Sequence, residues 1–291
     1  MELGKILKQR ILTLDGAMGT ELMARGVKGA LELCNIEKPE LVEAVHAAYL
    51  EVGADIITTN TTCVDALCLK EYGMQERSYE LAKAGAEIAR RMAKKYSTTD
   101  KPRYVAGSVG PTSRNITLAN DVKREEIAAA YADVVRGLID GGVDMILIET
   151  ATDSANVTIA VEEVRRQSSE MPIIVSAVLA RMEGRVASGA TIAKFLEQIP
   201  MSEISVVGFN CSNGVKPLES ALKTLAMHTQ KPIIAYPSVG QPAEPLSRYV
   251  KDMEQLCRAG LLNIAGGCCG TTPSHIAGIA KAAARWRGHK F

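Results

Sequence analysis

Val206-Val207-Gly208-Phe209-Asn210-Cys211 is a short apolar run that ends in an amide and a thiol. A continuous run of β-branched and aromatic residues of this length is typical of a strand that is buried on both faces in a parallel sheet. A second run has the same form, since Leu262 to Ala265 leads through two glycines to Cys268-Cys269. We therefore expect two buried strands that each deliver cysteine side chains at their carboxyl ends.

Eight short apolar runs of this kind occur along the chain, separated by amphipathic stretches with helical period. The runs lie at Ile11 to Leu14, Asp55 to Thr59, Tyr104 to Ser108, Met145 to Ile148, Ile173 to Val178, Val206 to Phe209, Ile233 to Tyr236 and Leu262 to Ala265. The predicted helices lie at Pro39 to Val52, Arg77 to Lys95, Arg124 to Asp140, Ser154 to Gln167, Val215 to His228, Leu246 to Ala259 and Pro273 to Arg285. Strands that alternate with helices are typical of βα units and a parallel sheet. Eight units in series predict an α/β protein built as a single (β/α)8 TIM barrel.

Length and composition favour one barrel over two domains. The 291 residues are 47% hydrophobic and 23% charged, so the chain can bury a large core. No Pro/Ser-rich linker or low-complexity tract divides the sequence, and we expect one domain over residues 1–291. Lys plus Arg number 34 against 33 Asp plus Glu. This balance is unlike that of proteins that bind polyanions, so neither nucleic acid nor a membrane surface is an expected partner.

The sequence also predicts a cytoplasmic location. The amino-terminal segment lacks a basic region followed by an apolar one, and no uncharged apolar run reaches the roughly 20 residues of a membrane span. Seven cysteines in a chain without a secretion signal indicate reduced thiols that serve a metal or catalysis rather than a disulfide framework.

The carboxyl ends of the predicted strands carry the candidate functional residues, because a barrel of this type places its functional groups there, on one face. The candidates are Asp15, Asn60, Thr61, Ser108, Gly110, Glu149, Cys211, Cys268 and Cys269. Asp15 and Glu149 come directly after buried runs. A carboxylate in such a place needs a partner, which an ammonium group or a metal ion supplies.

The three cysteines at strand ends are candidate zinc ligands. Structural zinc normally has four protein ligands, whereas three leave one position for water or substrate, and two adjacent cysteines cannot form the usual C-x-x-C knuckle. From the residues alone, core packing and redox roles stay open beside zinc, because the spacing matches no common zinc-finger pattern. The remaining cysteines are expected to be small apolar core residues: Cys34, Cys63, Cys68 and Cys257.

An ordered set of motifs covers nearly the whole chain. The set comprises Leu14-Asp15-Gly16-Ala17-Met18-Gly19-Thr20, the stretch from His46-Ala47-Ala48-Tyr49-Leu50 to Asn60-Thr61, Glu149-Thr150, Gly208-Phe209-Asn210-Cys211 and Cys268-Cys269. In this order and spacing it resembles the zinc-dependent homocysteine S-methyltransferases, which include betaine-homocysteine methyltransferase and the homocysteine domain of cobalamin-dependent methionine synthase.

The resemblance implies an enzyme that transfers a methyl group to the zinc-bound thiolate of homocysteine, or of a related small thiol, and forms methionine. It implies that the three cysteines bind zinc and that Asp15 and Glu149 hold the substrate amino group. Asn60, Thr61, Ser108 and Gly110 are assigned to the rim or to contacts with the substrate backbone. Zinc makes chemical sense here because only a thiolate attacks, and coordination to zinc deprotonates a thiol.

The sequence departs from the family at two strand ends. Tyr236-Pro237-Ser238-Val239-Gly240 stands where many members have Tyr-Pro-Asn-Ala-Gly, so an amide that could take the fourth zinc position is absent. Ser238, water and a nearby tyrosine are the candidates for that position. Thr58 stands where methionine synthases commonly have an acidic residue, and Thr62-Cys63 replaces an aromatic start of the next loop. These changes leave the exact acceptor and the donor open.

The methyl donor is not fixed by any motif. The corrinoid-binding pattern Asp-x-His-x-x-Gly is absent, so methylcobalamin could come only from a separate protein, and Gly-x-Gly-x-x-Gly is absent after the first strand. A methylcorrinoid protein ranks slightly ahead of a sulfonium compound such as S-methylmethionine or S-adenosylmethionine. Betaine ranks lowest, because an aromatic content of 4% gives little support for a cage around a quaternary ammonium. Zinc-dependent hydrolysis and a catalytically silent zinc-binding barrel are the alternatives.

Overall fold

The computed structural model describes residues 3–119, 121–180 and 184–291. Eight parallel strands lie in one sheet, as a (β/α)8 barrel requires. They are β1 (Leu12–Thr13), β2 (Ile56–Thr58), β3 (Tyr104–Val109), β4 (Met145–Ala151), β5 (Ile173–Val178), β6 (Val206–Asn213), β7 (Ile233–Ser238) and β8 (Ile264–Ala265). The predicted fold class is confirmed.

Twelve helices in the described residues precede, connect or follow the strands. They are α1 (Leu3–Gln9), α2 (Met18–Ala24), α3 (Cys34–Glu37), α4 (Pro39–Glu51), α5 (Ala66–Leu69), α6 (Ser78–Tyr96), α7 (Arg124–Asp140), α8 (Ser154–Gln167), α9 (Ile192–Gln198), α10 (Leu218–His228), α11 (Leu246–Arg258) and α12 (Pro273–Ala283). All seven predicted helices are present, and α1, α2, α3, α5 and α9 are additional. Within the described ranges, none of the helices has the length and apolarity to cross a membrane.

The sheet closes between β1 and β2. The strand order runs β1-β8-β7-β6-β5-β4-β3-β2, and the two end strands meet through backbone hydrogen bonds. Asp55 N–H donates to the Thr13 carbonyl at 2.7 Å, and Asp15 N–H donates to the Ile56 carbonyl at 2.9 Å. We call this meeting of β1 and β2 the seam.

Two apolar layers surround the strands. Inside the barrel, Leu14, Ile56, Leu147, Ile174 and Ile264 belong to one buried cluster. A larger cluster joins the outer face of the sheet to the helices. Burial on both faces explains why the strands appear in the sequence as continuous apolar runs.

The register shifts in β4 between Ile148 and Ala151 and in β6 between Asn210 and Asn213. These strands therefore extend past their predicted ends into polar sequence. Thr150 (φ 57°) and Cys211 (φ 52°) lie in the shifted segments and are the non-glycine residues with positive φ in the described chain. A left-handed backbone is costly for a side chain with a Cβ and tends to occur at functional sites.

Candidate active site

Cys211, Cys268 and Cys269 come together at the mouth of the barrel. The Sγ atoms all lie within 4.8 Å of one another, with 2.6 Å between Cys211 and Cys268 and 3.9 Å between Cys268 and Cys269. Cys211 is in β6, whereas the other two follow β8, so the cluster joins two strands that are not neighbours. All three thiols are free.

The loop that carries Cys268 and Cys269 is held by several hydrogen bonds. Cys268 N–H donates to the Pro237 carbonyl at 2.8 Å, and the Thr271 hydroxyl donates to the Cys268 carbonyl at 2.7 Å. The buried Tyr49 hydroxyl donates to the carbonyls of Ala17 and Thr271 at 3.0 and 3.1 Å. Tyr49 thereby fixes the loop after β1 against the loop after β8.

The donor set fits a thiophilic metal ion. Zinc–sulfur bonds of about 2.3 Å in a tetrahedron separate the sulfur atoms by roughly 3.8 Å. The Cys268–Cys269 distance agrees with this spacing, and the Cys211–Cys268 pair has to open by about 1 Å to adopt it. No fourth protein ligand of the His, Cys, Asp or Glu type joins the group in the described residues. A tetrahedral metal ion bound by these three thiols would therefore keep one coordination position for an external ligand.

The electrostatics of the cluster favour a cation. Hydrogen bonds from the thiols of Cys211 and Cys268 lower the pKa of Cys269 to about 2, and a hydrogen bond with Ser238 acts in the same direction. The hydrogen bonds with Cys211 and Cys269 raise the pKa of Cys268, and burial adds to this effect. The negative charge of the cluster thus resides first on Cys269, the most exposed of the three cysteines.

The other cysteines take no part in the cluster. Cys34 and Cys257 are buried, as predicted for small apolar residues, and Cys68 is half-buried. For Cys63 the prediction of a core residue is wrong, because it is exposed in the loop after β2 and its N–H donates to Glu32.

Asp15 is buried directly after β1, beside the seam. Its Oδ2 accepts the Thr58 N–H at 2.8 Å, and its Oδ1 accepts the Thr58 hydroxyl at 3.1 Å. Burial raises the pKa of Asp15 well above its ordinary value, despite the opposing hydrogen bonds, and repulsion by Glu149 raises it further. No basic side chain is hydrogen-bonded to Asp15 among the described residues, so a cationic ligand group would stabilise its ionised form.

Glu149 is buried in β4 and is held by hydroxyl groups. The Ser108 hydroxyl donates to Oε1, and the Tyr236 hydroxyl donates to Oε2 at 3.1 Å. The Thr62 hydroxyl oxygen lies 3.5 Å from Oε1. Burial raises the pKa of Glu149, and the hydrogen bonds from Ser108, Tyr236 and Thr62 oppose the rise.

One cavity of about 320 Å³ contains both carboxylates and all three thiols. Its apolar wall includes Leu14, Ala17, Met18 and Met23. None of its described lining residues is Lys, Arg or His. The cavity therefore combines thiol sulfur, two carboxylates and an uncharged apolar wall.

Three of the weaker candidates take structural contacts instead of lining this cavity. Asn60 donates from Nδ2 to the Leu31 carbonyl and to Asn35 Oδ1, both at 3.0 Å. The Thr61 hydroxyl donates to the Ser108 carbonyl at 2.7 Å. At Gly110, a Cβ would overlap the carbonyl oxygen of Thr62, so only glycine allows these loops to meet. Ser108 reaches the site through its bond to Glu149.

Sequence reasoning did not assign roles to several residues that shape the site. Thr62, Thr150 and Tyr236 line the cavity, and Asn210 contacts Thr150 from below. Their positions are a usable signal, because Thr150, Asn210 and Tyr236 lie in the carboxyl-terminal halves of β4, β6 and β7 and Thr62 follows β2, and each strand end supplies several side chains to the mouth. His46, which belongs to one of the sequence motifs, lies outside the cavity lining; it is buried, and desolvation lowers its pKa to about 3, as for a neutral histidine packed in the core.

A (β/α)8 barrel with three thiols and two carboxylates in one cavity has the groups that an enzyme acting on a small thiol requires. The chain belongs to the homocysteine S-methyltransferase family, whose model matches residues 12–283. It is therefore a methyltransferase that uses the thiol of homocysteine as acceptor. The family resemblance in the sequence motifs is confirmed.

Solved structures agree with this assignment. The metallated form of the homocysteine methyltransferase MmuM from Escherichia coli is 27% identical with a TM-score of 0.79, over 96% of this chain and 98% of that chain. The oxidized form is 26% identical with a TM-score of 0.80, over 93% of this chain and 95% of that chain. A glycoside hydrolase family 5 enzyme from Prevotella bryantii shares only the fold, at 11% identity and a TM-score of 0.58, over 97% of this chain and 99% of that chain.

Proposed function

We propose that Cys211, Cys268 and Cys269 hold a zinc ion and that the cavity takes L-homocysteine with a sulfonium compound as methyl donor. The observation that carries the proposal is the joint presence of the three thiols and two carboxylates in one cavity. Zinc bound there would supply the Lewis acidity that keeps the acceptor sulfur deprotonated at neutral pH. Ser238, which lies beside Cys269, is a candidate for the fourth position before substrate binds.

The carboxylates select an amino-acid thiol. Asp15 and Glu149 repel each other in the buried cavity, and an ammonium group between them relieves that repulsion. Thr58 fixes the orientation of Asp15, while Ser108 and Tyr236 fix that of Glu149. The acceptor is thereby held at its amino end while its sulfur lies at the cysteines, which is the positional control that a displacement reaction needs.

The charge of the cavity favours a cationic donor. Its described lining offers two carboxylates and no basic side chain, so a sulfonium centre is attracted, whereas a phosphate-bearing donor finds no basic partner there. The apolar wall formed by Met18 and Met23 accepts a methyl-bearing group and limits competing attack by water. Betaine is less suitable, because Tyr236 is the one aromatic residue among the described lining residues and its hydroxyl is bonded to Glu149.

The reaction balances without a further reagent. A bond forms between the acceptor sulfur and the methyl carbon as the bond from that carbon to the donor sulfur breaks. The donor sulfur keeps the electron pair and becomes a neutral thioether. The proton of the acceptor thiol is released to solvent when the thiolate forms.

A direct assay tests the proposal. The zinc-loaded protein is mixed with L-homocysteine and one deuteromethyl-labelled donor per reaction. The donors are S-methylmethionine, S-adenosylmethionine, betaine and methylcobalamin, and labelled methionine is measured by mass spectrometry. We expect label from a sulfonium donor. If label came from methylcobalamin alone, free or on a corrinoid protein, the sulfonium proposal would be wrong. The donor would then be the methylcorrinoid that the sequence also left open. A corrinoid ring is larger than the cavity and would have to lie over its mouth.

Metal binding is tested by zinc-edge X-ray absorption with and without homocysteine. The proposal predicts three sulfur ligands plus one oxygen or nitrogen, changing to four sulfur ligands when homocysteine is added. Three sulfur ligands that homocysteine leaves unchanged would direct attention to another thiol or to hydrolysis.

A further inference from the structure

Asn210 is completely buried in β6, and its side-chain amide crosses the interior of the barrel to β4. Its Oδ1 accepts hydrogen bonds from the Thr150 N–H at 3.0 Å and from the Ser176 hydroxyl at 2.8 Å. Its Nδ2 donates to the Thr150 hydroxyl at 2.9 Å and lies 4.0 Å from the Cys268 sulfur. Asn210 thus reaches past β5 and forms hydrogen bonds with two groups of Thr150 in β4.

Thr150 needs such support. Its φ of 57° is in the left-handed region, which a β-branched side chain rarely adopts. Such a conformation persists only when surrounding contacts fix it. Here the backbone N–H and the hydroxyl of Thr150 are both held by the same amide.

The neighbours of these two residues are the functional groups. Thr150 directly follows Glu149, and Asn210 directly precedes Cys211, which has the other positive φ of a non-glycine residue, 52°. The bridge therefore joins a carboxylate and a thiol at the two places where the strand register shifts. Asn210 itself is absent from the described lining of the cavity, so it acts through other residues.

We propose that Asn210 is a positioning residue that sets the spacing between Glu149 and Cys211 by holding Thr150 in its left-handed conformation. The spacing lets one amino-thiol molecule place its ammonium group at the carboxylate and its sulfur at the cysteines. The inference rests on the proposed function, in which Glu149 receives the substrate ammonium group.

The test compares two thiols that differ only in the amino group. Calorimetry on the zinc-loaded protein gives the Kd of L-homocysteine and of 4-mercaptobutanoate, which lacks the ammonium group. Asn210→Ala should raise the Kd of homocysteine roughly tenfold, because at least one well-placed charged contact is lost. The Kd of 4-mercaptobutanoate should change less than about twofold, because that thiol does not use Glu149.

A second variant isolates the backbone of Thr150. Thr150→Gly in the Asn210→Ala background should recover part of the lost homocysteine affinity, because glycine adopts positive φ without the penalty of a Cβ. Absence of such recovery would overturn the proposed role of the left-handed conformation of Thr150. If Asn210→Ala fails to fold, Ser176→Ala removes one of the two donors to the same oxygen and should show the same selectivity at about threefold.

Asn263→Ala is the matched control. Asn263 is equally buried, and its side chain accepts from Ile233 N–H at 2.8 Å and donates to the His289 carbonyl at 2.9 Å, near the start of β8. The Asn263→Ala variant should be less stable, while its Kd values for homocysteine and 4-mercaptobutanoate should be unchanged.

Equal losses for the two thiols in Asn210→Ala, or no loss for either, would overturn the inference. If the unmodified protein bound the two thiols equally, the proposed role of Glu149 would fail and the inference would fail with it. Loss of zinc in Asn210→Ala, measured by metal analysis, would reassign Asn210 to the metal site alone.

Discussion

Thr58 donates two hydrogen bonds to Asp15, one from its backbone N–H at 2.8 Å and one from its hydroxyl at 3.1 Å. An acidic residue at position 58 would face Asp15 with a second carboxylate in place of this hydroxyl donor. A hydroxyl donor in that place supports the ionised form of a buried carboxylate, whereas a second carboxylate would oppose it. The residue at position 58 therefore alters how strongly Asp15 attracts a cation.

Thr58→Val should weaken homocysteine binding about three- to tenfold, since it removes one hydrogen bond to a charged group worth about 1 kcal/mol. The volume and the backbone bond are kept, so the melting temperature should change little. Thr224→Val is the control, because the Thr224 hydroxyl bonds only to the Ser220 carbonyl of its own helix. An unchanged Kd for homocysteine in Thr58→Val would show that the hydroxyl does not matter for Asp15.

Cys211→Ser and Cys269→Ser should each lose zinc and methyl transfer while keeping the barrel, since the hydrophobic layers do not depend on these side chains. Zinc content is measured by metal analysis and folding by circular dichroism. Cys63→Ser, at the exposed position after β2, should keep both zinc and activity. Stoichiometric zinc in either purified ligand variant would contradict that ligand assignment.

Asp15→Asn should raise the melting temperature and lower homocysteine affinity. The amide still accepts from the Thr58 N–H and can donate to the Thr58 hydroxyl, but it carries no charge that has to be buried beside Glu149. We expect a gain of a few degrees and a loss of affinity of about 10- to 100-fold, with zinc retained. A lower melting temperature would mean that the Asp15 charge stabilises the fold.

Glu149→Gln tests the second carboxylate. We expect a loss of homocysteine affinity of about 10- to 100-fold and unchanged binding of 4-mercaptobutanoate. No gain in stability is expected, because the new amide group meets the donor hydroxyls of Ser108 and Tyr236. Equal loss for both thiols would show that Glu149 does not contact the amino group.

Binding of homocysteine should weaken as the pH falls through the raised pKa values of Asp15 and Glu149. Burial raises both pKa values, so these groups gain protons at a pH where ordinary carboxylates are still ionised, and a neutral acid does not pair with ammonium. The thiol of the ligand titrates as well, and 4-mercaptobutanoate measures that effect alone. The Kd of 4-mercaptobutanoate divided by the Kd of homocysteine should therefore approach 1 at acid pH and grow as the pH rises.

The sequence predicts the barrel and the sulfur cluster well, because both depend on strand order. Every parallel strand ends on the same face, so cysteines near the end of β6 and after β8 are expected at the same mouth of the barrel. The helix α9 was not predicted, since it has only seven residues between loops, and α2 lies within a motif whose glycines are typical of a loop.

The hydrogen-bonded network behind the site is beyond such reasoning. The contact of Asn210 with Thr150 depends on the register shifts and on a strand between them, neither of which local sequence specifies. The same holds for Tyr236 and Glu149, whose contact at 3.1 Å joins strands that are three positions apart in the sheet. Predicted contacts of Asn60 and Thr61 with substrate stay predictions.

Because Asp15 lies at the seam and Glu149 does not, the structure restricts substitution at Asp15 more than at Glu149. The backbone N–H of Asp15 donates to the Ile56 carbonyl of β2, and the Asp15 side chain accepts the N–H of Thr58 further along that strand. The side chain thus extends the hydrogen bonding between β1 and β2. Any replacement at position 15 has to supply an acceptor there or leave the edge of the sheet open. Glu149 is held by side-chain hydroxyls that can be exchanged together with it. A redesign of acceptor specificity therefore has room on the fourth strand, while the first is constrained by the architecture itself.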